Sequence, residues 1–254
     1  MERIAILAVS GLRVQWRNRA WQVAMLFAGV MLYFSVLLGI LAADQELRAL
    51  MDFGLSFIEL MALAAAIFGA ATGFLREMET KSIYLILSRP VSRLEYLVGR
   101  YLGLVLSMLA AVAMMAAAHL LLLGLRGWAF RAEYLLALYG IALKVAVAAA
   151  LATFFALFST SALSALVITG ILWTLGHFTA EMSFLAARGG FSAVPLAAMI
   201  QVVPHLQLFN FRDRLDLPAT AAAVAPMGFA TAYAAVYCAC CLALSYALIR
   251  RKDF

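Results

Sequence analysis

Six long apolar segments limit what this chain can fold into. They cover residues 21–41, 53–74, 101–125, 134–158, 162–185 and 227–249. Each has about the 20 residues that an α-helix needs to cross the hydrocarbon core of a bilayer. Hydrophobic residues make up 67% of the chain and charged residues only 13%, whereas a soluble domain is roughly half apolar and a quarter charged. The sequence therefore predicts an all-α integral membrane protein with six transmembrane helices, in a single domain over residues 1–254.

The Lys and Arg residues predict the orientation of these helices. Twelve of them lie before the first segment, between the second and third, and after the sixth, against six in the other connections, with Lys144 counted on neither side. Because cytoplasmic loops are enriched in Lys and Arg, both termini are expected in the cytoplasm. The clusters beside apolar segments also account for the net charge of +6. Nucleic acid is therefore not an expected partner, whereas the lipid bilayer is.

The first 20 residues mix apolar and basic side chains. Ile4 and Leu7 recur among Arg3, Arg13 and Arg17, a pattern typical of a helix that lies on the membrane surface. A small-residue cleavage site is not apparent, so the first apolar segment is expected to stay as an anchor. The sequence thus predicts an interfacial helix over residues 1–20.

No metal or redox site is expected from the sequence. Cys238, Cys240 and Cys241 lie inside an apolar segment, where cysteine behaves as a small hydrophobe. Their spacing matches neither a redox motif nor a zinc site. The twelve methionines are scattered, as gap-filling residues of an apolar protein are.

The connection over residues 76–100 has the most informative sequence. Ile83 and Leu87 contribute to an apolar stripe that predicts a short amphipathic helix. Pro90 cannot continue that helix, so the chain is expected to turn there. Ser92 and Glu95 have the spacing of a capping box, which predicts a second helical turn. Such a charged projection suits the docking of a soluble partner. An ordinary interfacial loop without a docking role would have the same sequence features.

A family resemblance favours the docking interpretation. The run R-E-x-E-T-x5-I-L-S-R-P-V-S-R-x-E-Y-x-x-G-R-Y-L-G over residues 76–103 resembles the coupling segment of ABC-2 type transporter permeases, in particular the branch linked to multicopper-enzyme maturation and gliding motility. Many of those permeases have Gly-Thr after the acidic pair and Lys at the position of Arg100, so this chain departs from them at both places. The residues that the resemblance assigns to ATPase docking are Arg76, Glu77, Glu79, Thr80, Leu87, Ser88, Arg89, Pro90, Arg93 and Glu95.

The resemblance implies the transmembrane subunit of an ATP-driven exporter in the bacterial cytoplasmic membrane. Two copies, or this chain with a similar permease, would pair with two ABC ATPase subunits, and a periplasmic accessory protein is a further expected type of partner. The sequence has no G-x-x-x-x-G-K-[ST] phosphate loop. The chain is therefore expected to be no enzyme and to hold no cofactor, with ATP and Mg²⁺ bound by the partner ATPase.

Ionisable residues inside the apolar segments are candidates for a substrate path, because a charge in a bilayer is costly and usually marks a functional site. Glu59, Lys144 and His119 lie in the predicted outer halves of their segments, as does His177. We expect Glu59 and Lys144 either to pair or to line an outer cavity that receives substrate. A structural ion pair that fixes helix register is the alternative.

The connection over residues 186–226 is too long for a simple turn. Its apolar stretch of about ten residues is too short to cross a bilayer, which predicts re-entrant or interfacial helices. The resemblance implies an outer lid here, with Leu208, Phe209, Asn210 and Phe211 shaping an outer gate; a purely structural cap is the alternative.

Three other classes of function compete with the exporter. An intramembrane enzyme would need a catalytic constellation that the apolar segments do not have. An ion-coupled secondary transporter commonly shows internal repeats and interrupted helices, and neither is evident in the sequence. A membrane scaffold would recruit a soluble partner without transport. The substrate is not specified, although the few ionisable residues favour an amphiphile or hydrophobic cargo.

Overall fold

The computed structural model describes residues 21–41, 46–80, 92–188, 193–214 and 224–251, and all regular secondary structure in these ranges is helical. Two short 3₁₀ helices, Leu206–Phe209 and Phe211–Arg214, follow the seventh α-helix. The α-helices in chain order are α1 (Trp21–Leu41), α2 (Glu46–Glu79), α3 (Arg93–Leu125), α4 (Glu133–Phe158), α5 (Ala162–His177), α6 (Thr179–Ala187), α7 (Ala193–Val202) and α8 (Val224–Arg251). The predicted interfacial helix over residues 1–20 lies outside the described residues.

Four helices are long and apolar enough to cross a membrane: α2, α3, α4 and α8. The bent pair formed by α5 and α6 makes a fifth candidate if it is counted as one crossing. These helices confirm a multi-pass helical architecture. The first predicted segment is a helix, α1, of 21 residues, and the count of six crossings stays a prediction.

The prediction of one continuous helix over residues 162–185 is wrong. The chain bends by 66° between α5 and α6. At the bend, the Gln207 side-chain amide donates a 2.6 Å hydrogen bond to the His177 carbonyl oxygen. The Thr179 hydroxyl contacts the carbonyl oxygen of Gly176 at 3.5 Å. Polar groups freed from the helical ladder are thus satisfied by other parts of the chain, as a break at membrane depth requires.

Helix α4 is the centre of the bundle. It packs against α2, α3, α5 and α8, and 67% of its most apolar 18-residue window is buried, against 22% for α8. Small residues between 146 and 152 leave room for close approach of neighbouring helices. Because α4 has partners on most sides, its polar side chains must be satisfied within the protein.

Aromatic stacking joins α1 to α2. The rings of Phe34 and Phe53 stack at 4.2 Å between centroids, and those of Phe27 and Phe57 at 5.6 Å. Arg126, at the end of α3, lies 2.8 Å from the Glu46 carboxylate at the start of α2. The end of the bundle at which α2 ends, α3 begins and α8 ends is called the basic end below. The other end, where α3 ends and α4 begins, is called the opposite end.

Gly140 of α4 is a point of close approach. A Cβ at this position would overlap the carbonyl oxygen of Phe209 and would lie 3.0 Å from Cδ2 of Phe211. Glycine therefore lets the 3₁₀ segment after α7 rest directly on the α4 backbone.

We predict that Gly140→Ala lowers the thermal stability of the purified protein, because a backbone neighbour cannot move aside as a side chain does. The expected loss is about 1–3 kcal/mol, typical of overpacking. Gly170→Ala in α5 is the matched control, since a Cβ there meets nothing within 4 Å. The control is expected to melt at or slightly above the wild-type temperature. Equal melting temperatures for the two variants would contradict the close contact.

Candidate functional site

The predicted capping box is present at the start of α3. The Ser92 side chain accepts a hydrogen bond from the Glu95 backbone N–H at 3.1 Å, and the Ser92 N–H donates to Glu95 Oε2 at 2.8 Å. However, the helix that it begins is α3 itself, which runs unbroken for 33 residues. The predicted cap is therefore confirmed, and the helical turn that it begins continues without a break into the third apolar segment, because no proline follows Ser92 within α3.

Three helices are tied together just beyond this cap. Glu77, in the last turns of α2, forms a 2.6 Å ion pair with Arg100 of α3, and it also accepts a hydrogen bond from the Tyr96 hydroxyl. Arg93 donates through Nη1 to the carbonyl oxygens of Ile249 and Arg250 at 3.0 and 3.2 Å. A cation at those carbonyls is favourable because they end α8 without helical partners. We call this arrangement of Glu77, Arg93, Tyr96 and Arg100 the basic-end clamp.

The predicted docking residues fall partly within the described structure. Glu77 and Arg93 belong to the clamp, Glu95 to the cap, and Thr80 is exposed directly after α2. The backbones of Arg76 and Glu79 lie in the last turn of α2, and their side chains are outside the description. Leu87, Ser88, Arg89 and Pro90, and the predicted amphipathic helix, lie outside the described residues.

A second polar site is buried toward the opposite end. Lys144 Nζ of α4 lies 2.7 Å from Glu59 Oε1 of α2, so the two side chains form an ion pair. Lys144 is 3% exposed and Glu59 is 9% exposed. His177, the last residue of α5, places Nε2 at 3.1 Å from the same carboxylate oxygen. The Glu59 carboxylate therefore joins three helices, and we call these three residues the buried charge cluster.

His177 lies between two hydrogen-bond acceptors. Its Nδ1 lies 3.1 Å from the carbonyl oxygen of Trp173, while Nε2 faces the Glu59 carboxylate. The sequence places His177 in an outer half but does not single it out, because nothing in an apolar segment marks the residue at which a helix ends.

The segment that follows α7, up to and including the first residues of the second 3₁₀ helix, covers this cluster. The backbone N–H of His205 donates to the Tyr233 hydroxyl of α8 at 2.9 Å, and Nδ1 of His205 lies 2.9 Å from the Thr179 hydroxyl. Gln207 bonds the His177 carbonyl oxygen at the α5–α6 bend. We call residues 203–212 the cover segment. It is fastened to α5, α6 and α8.

A small cavity lies between the cover segment and the buried charge cluster, with room for about one water-sized molecule. It is lined by Leu55, Glu59, Ala137, Ile141, Lys144, Phe209, Asn210, Phe211 and Arg212. Arg212 also donates to the Ser56 hydroxyl, one turn along α2 from Glu59. The structure thus brings Glu59 and Lys144 together with three of the four predicted outer-gate residues. The fourth, Leu208, does not line the cavity.

His119 occupies a separate position. Its ring nitrogens lie 2.9 Å from the Tyr134 hydroxyl and 3.3 Å from the Leu50 carbonyl oxygen, and the side chain is fully buried. A Cβ on Gly54 would overlap the ring. The structure does not bring His119 together with Glu59 and Lys144, and its assignment to a substrate path stays a prediction.

Metal binding is not indicated in the described part of the chain, where no three His, Cys, Asp or Glu side chains converge. Cys238 accepts a 3.4 Å contact from the Tyr101 hydroxyl, Cys241 is buried, and Cys240 is exposed on α8. These positions fit the predicted packing role.

Comparison with known proteins identifies a family. Residues 22–254 match the model of a family described as "Protein of unknown function (DUF2705)", and the chain belongs to that family. The match covers all six apolar segments. No curated protein matches the chain.

We predict that Lys144→Met destabilises the protein strongly, because it removes the ion-pair partner of the buried Glu59 carboxylate. Removing one partner of a buried ion pair typically costs about 3–5 kcal/mol. Adding Glu59→Gln should restore a large part of the loss, as a double-mutant cycle of thermal or denaturant unfolding in detergent would show.

The single variant Lys144→Met also tests the assignment of Lys144 to a substrate path. If Lys144→Met is expressed and transports like the wild type, that assignment is wrong.

We also predict that the cover segment loosens at acid pH. Burial lowers the pKa of His205 below its ordinary value of 6.5. The released segment then binds a proton more readily than the docked one, so docking loses stability as the pH falls below about 6.5. Hydrogen exchange of residues 203–212, corrected for intrinsic rates, should show lower protection at about pH 5.5 than at about pH 7.5.

His205→Gln is the control for this pH dependence. The variant keeps His177 and Glu181, two other ionisable residues that contact the cover segment through Gln207, so it separates their effect from that of His205. An unchanged pH dependence in His205→Gln would show that the other groups cause it.

Proposed function

We propose that this member of the DUF2705 family is the transmembrane subunit of an ATP-driven exporter. Two copies would work with two separate ATPase subunits that dock on residues 76–100. The sequence resemblance to ABC-2 type permeases motivates the proposal, and the observation that carries it is the basic-end clamp. The proposed location is the bacterial cytoplasmic membrane, with both termini in the cytoplasm.

The clamp supports a coupling role because of what it connects. The connection between α2 and α3 is held on one side by Glu77 and on the other by Arg93 and Arg100. Through Arg93 the same point is fastened to the end of α8. A force applied to residues 80–92 would therefore reach three long helices at once, as rigid-body coupling requires.

The sequence fits a transporter in which a partner ATPase hydrolyses ATP and this chain forms the substrate path. The sequence has no phosphate-binding loop, so ATP and Mg²⁺ would be bound by the partner ATPase. The buried charge cluster and its cover segment lie at the far side of the bundle from the clamp, where an exporter releases its cargo. Glu59, Lys144, Phe209, Asn210 and Phe211 would then line the substrate path at the outer gate.

An ion-coupled secondary transporter is the second candidate. The break between α5 and α6 is an interrupted helix, and its His177 contacts the buried pair of Glu59 and Lys144. Transporters of that class place interrupted helices and charged residues at their binding sites. Dependence of transport on a partner ATPase separates the two candidates.

We predict that the tagged chain co-purifies with a soluble ABC ATPase subunit and that Glu79→Arg removes or weakens the association. The reversal places a positive charge in the last turn of α2, beside the docking segment. Gentle solubilisation, affinity capture and identification of the bound proteins measure the effect. The preparation should hydrolyse ATP only when the ATPase subunit is present.

Arg131→Glu is the matched control, because Arg131 is an exposed residue at the opposite end of the bundle. It should retain the ATPase at the wild-type level. If wild-type protein captures no ATPase in several detergents, the exporter is excluded and the secondary transporter or a membrane scaffold takes its place. Loss of capture in Arg131→Glu but not in Glu79→Arg would move the docking site to the other side of the membrane.

A further inference from the structure

The cavity under the cover segment has an excess of positive charge. Lys144 and Arg212 both line it, against one carboxylate, that of Glu59. His177 contacts the same carboxylate oxygen as Lys144. Buried Lys144 and half-buried Arg212 are thus two cations beside a single carboxylate.

The donors of these cations are not all used. The Lys144 ammonium has three N–H donors, and Glu59 Oε1 is its one hydrogen-bond acceptor among the described residues. Arg212 donates to the neutral Ser56 hydroxyl and has no carboxylate within ion-pair distance in the described part of the chain. Buried charges are costly unless they are paired and hydrogen-bonded. The arrangement thus offers charged donors to a further acceptor.

Apart from Asn210, the other residues that line the cavity are apolar. They include Phe209 and Phe211 of the cover segment, Leu55 of α2 and Ile141 of α4. Anionic oxygens are bound most strongly by Lys and Arg donors in sites with little water. An apolar wall beside such donors matches a ligand that joins an anionic group to a hydrocarbon chain.

From these contacts we infer that the cavity between Lys144, Arg212 and the two phenylalanines of the cover segment is a binding site for an anionic group such as a phosphate. Two sources share that chemistry, the headgroup of an anionic amphiphile and a free oxyanion. The inference deepens the proposed function, because it gives the cargo at the outer gate a charge. The cavity holds about one water-sized molecule with the cover segment in place, so a headgroup larger than this requires the segment to move outward.

Binding is measured on the purified full chain in a neutral maltoside detergent, without any ATPase subunit. Inorganic phosphate and a short-chain phosphatidic acid are titrated separately. The matching short-chain phosphatidylcholine, whose zwitterionic headgroup has no net charge, is the comparison. A ligand that binds only the folded protein raises the melting temperature in proportion to its saturation. Tryptophan fluorescence is a second readout, since the Trp173 ring lies 5.1 Å from that of His177.

We predict that an anionic probe raises the melting temperature and that phosphatidylcholine does not. Arg212→Gln should lower the affinity for the anion by about tenfold or more, which is the effect of losing one charged hydrogen bond. Arg212→Lys keeps the charge and should retain most of the affinity, which guards against a variant that merely misfolds. Arg131→Gln, an exposed arginine away from the cavity, should bind like the wild type.

The outcomes separate the ligand sources and the two proposals. Stabilisation by phosphatidic acid alone identifies an amphiphile, and equal stabilisation by phosphate identifies a free oxyanion. No anion-dependent shift with either probe, or an identical shift in Arg212→Gln, overturns the site. Because no ATPase is present, that failure leaves the exporter proposal standing, and failure of ATPase capture leaves the anion site standing.

Discussion

The contacts of the Glu59 carboxylate join the helices toward the opposite end of the bundle. It is held by Lys144 of α4 and His177 of α5 at one oxygen atom, so α2, α4 and α5 have to meet at this level. A charge in this environment is tolerated only if its partners are fixed. His177 is also the last residue of α5, and the chain turns aside directly after it.

That turn determines where the cover segment lies. The bend frees backbone groups that water cannot reach, and Gln207 satisfies the carbonyl oxygen of His177. Two glycines set the distance of approach: a Cβ on Gly176 would lie 2.7 Å from the Pro204 carbonyl oxygen, and a Cβ on Gly140 would overlap that of Phe209. The cover segment is thus positioned by backbone contacts, with His205 and Arg212 fastening its two ends to neighbouring helices.

The sequence predicted the features that depend on local pattern. Long apolar segments gave the positions of the helices, because transfer of a side chain to the bilayer depends on that residue alone. The Ser92–Glu95 spacing gave the start of α3, since a capping box is complete within four residues. The cost of a charge in a membrane pointed to Glu59 and Lys144.

The features that were missed depend on contacts between distant parts of the chain. Residues 162–185 are predominantly apolar, so hydropathy does not mark the break at which Gln207 replaces a helical partner. Arg212 lies in a polar connection, where an arginine is unremarkable until the fold places it over the cavity. For a related reason, the cap at Ser92 shows where α3 begins and not how far it continues.

Helix α2 links the two ends of the molecule. Glu59 and Glu77 are 18 positions apart on it, which at 1.5 Å per residue is about 27 Å along one rigid element. A displacement of α2 at the clamp would carry Glu59 with it. Because the pair with Lys144 is too costly to separate, α4 has to move together with α2. The relative motion is then left to the cover segment and α6, which have no ion pair with α2 or α4 among the described residues. In the proposed exporter, opening at the outer side would therefore occur there, and the charge cluster would stay intact beneath it.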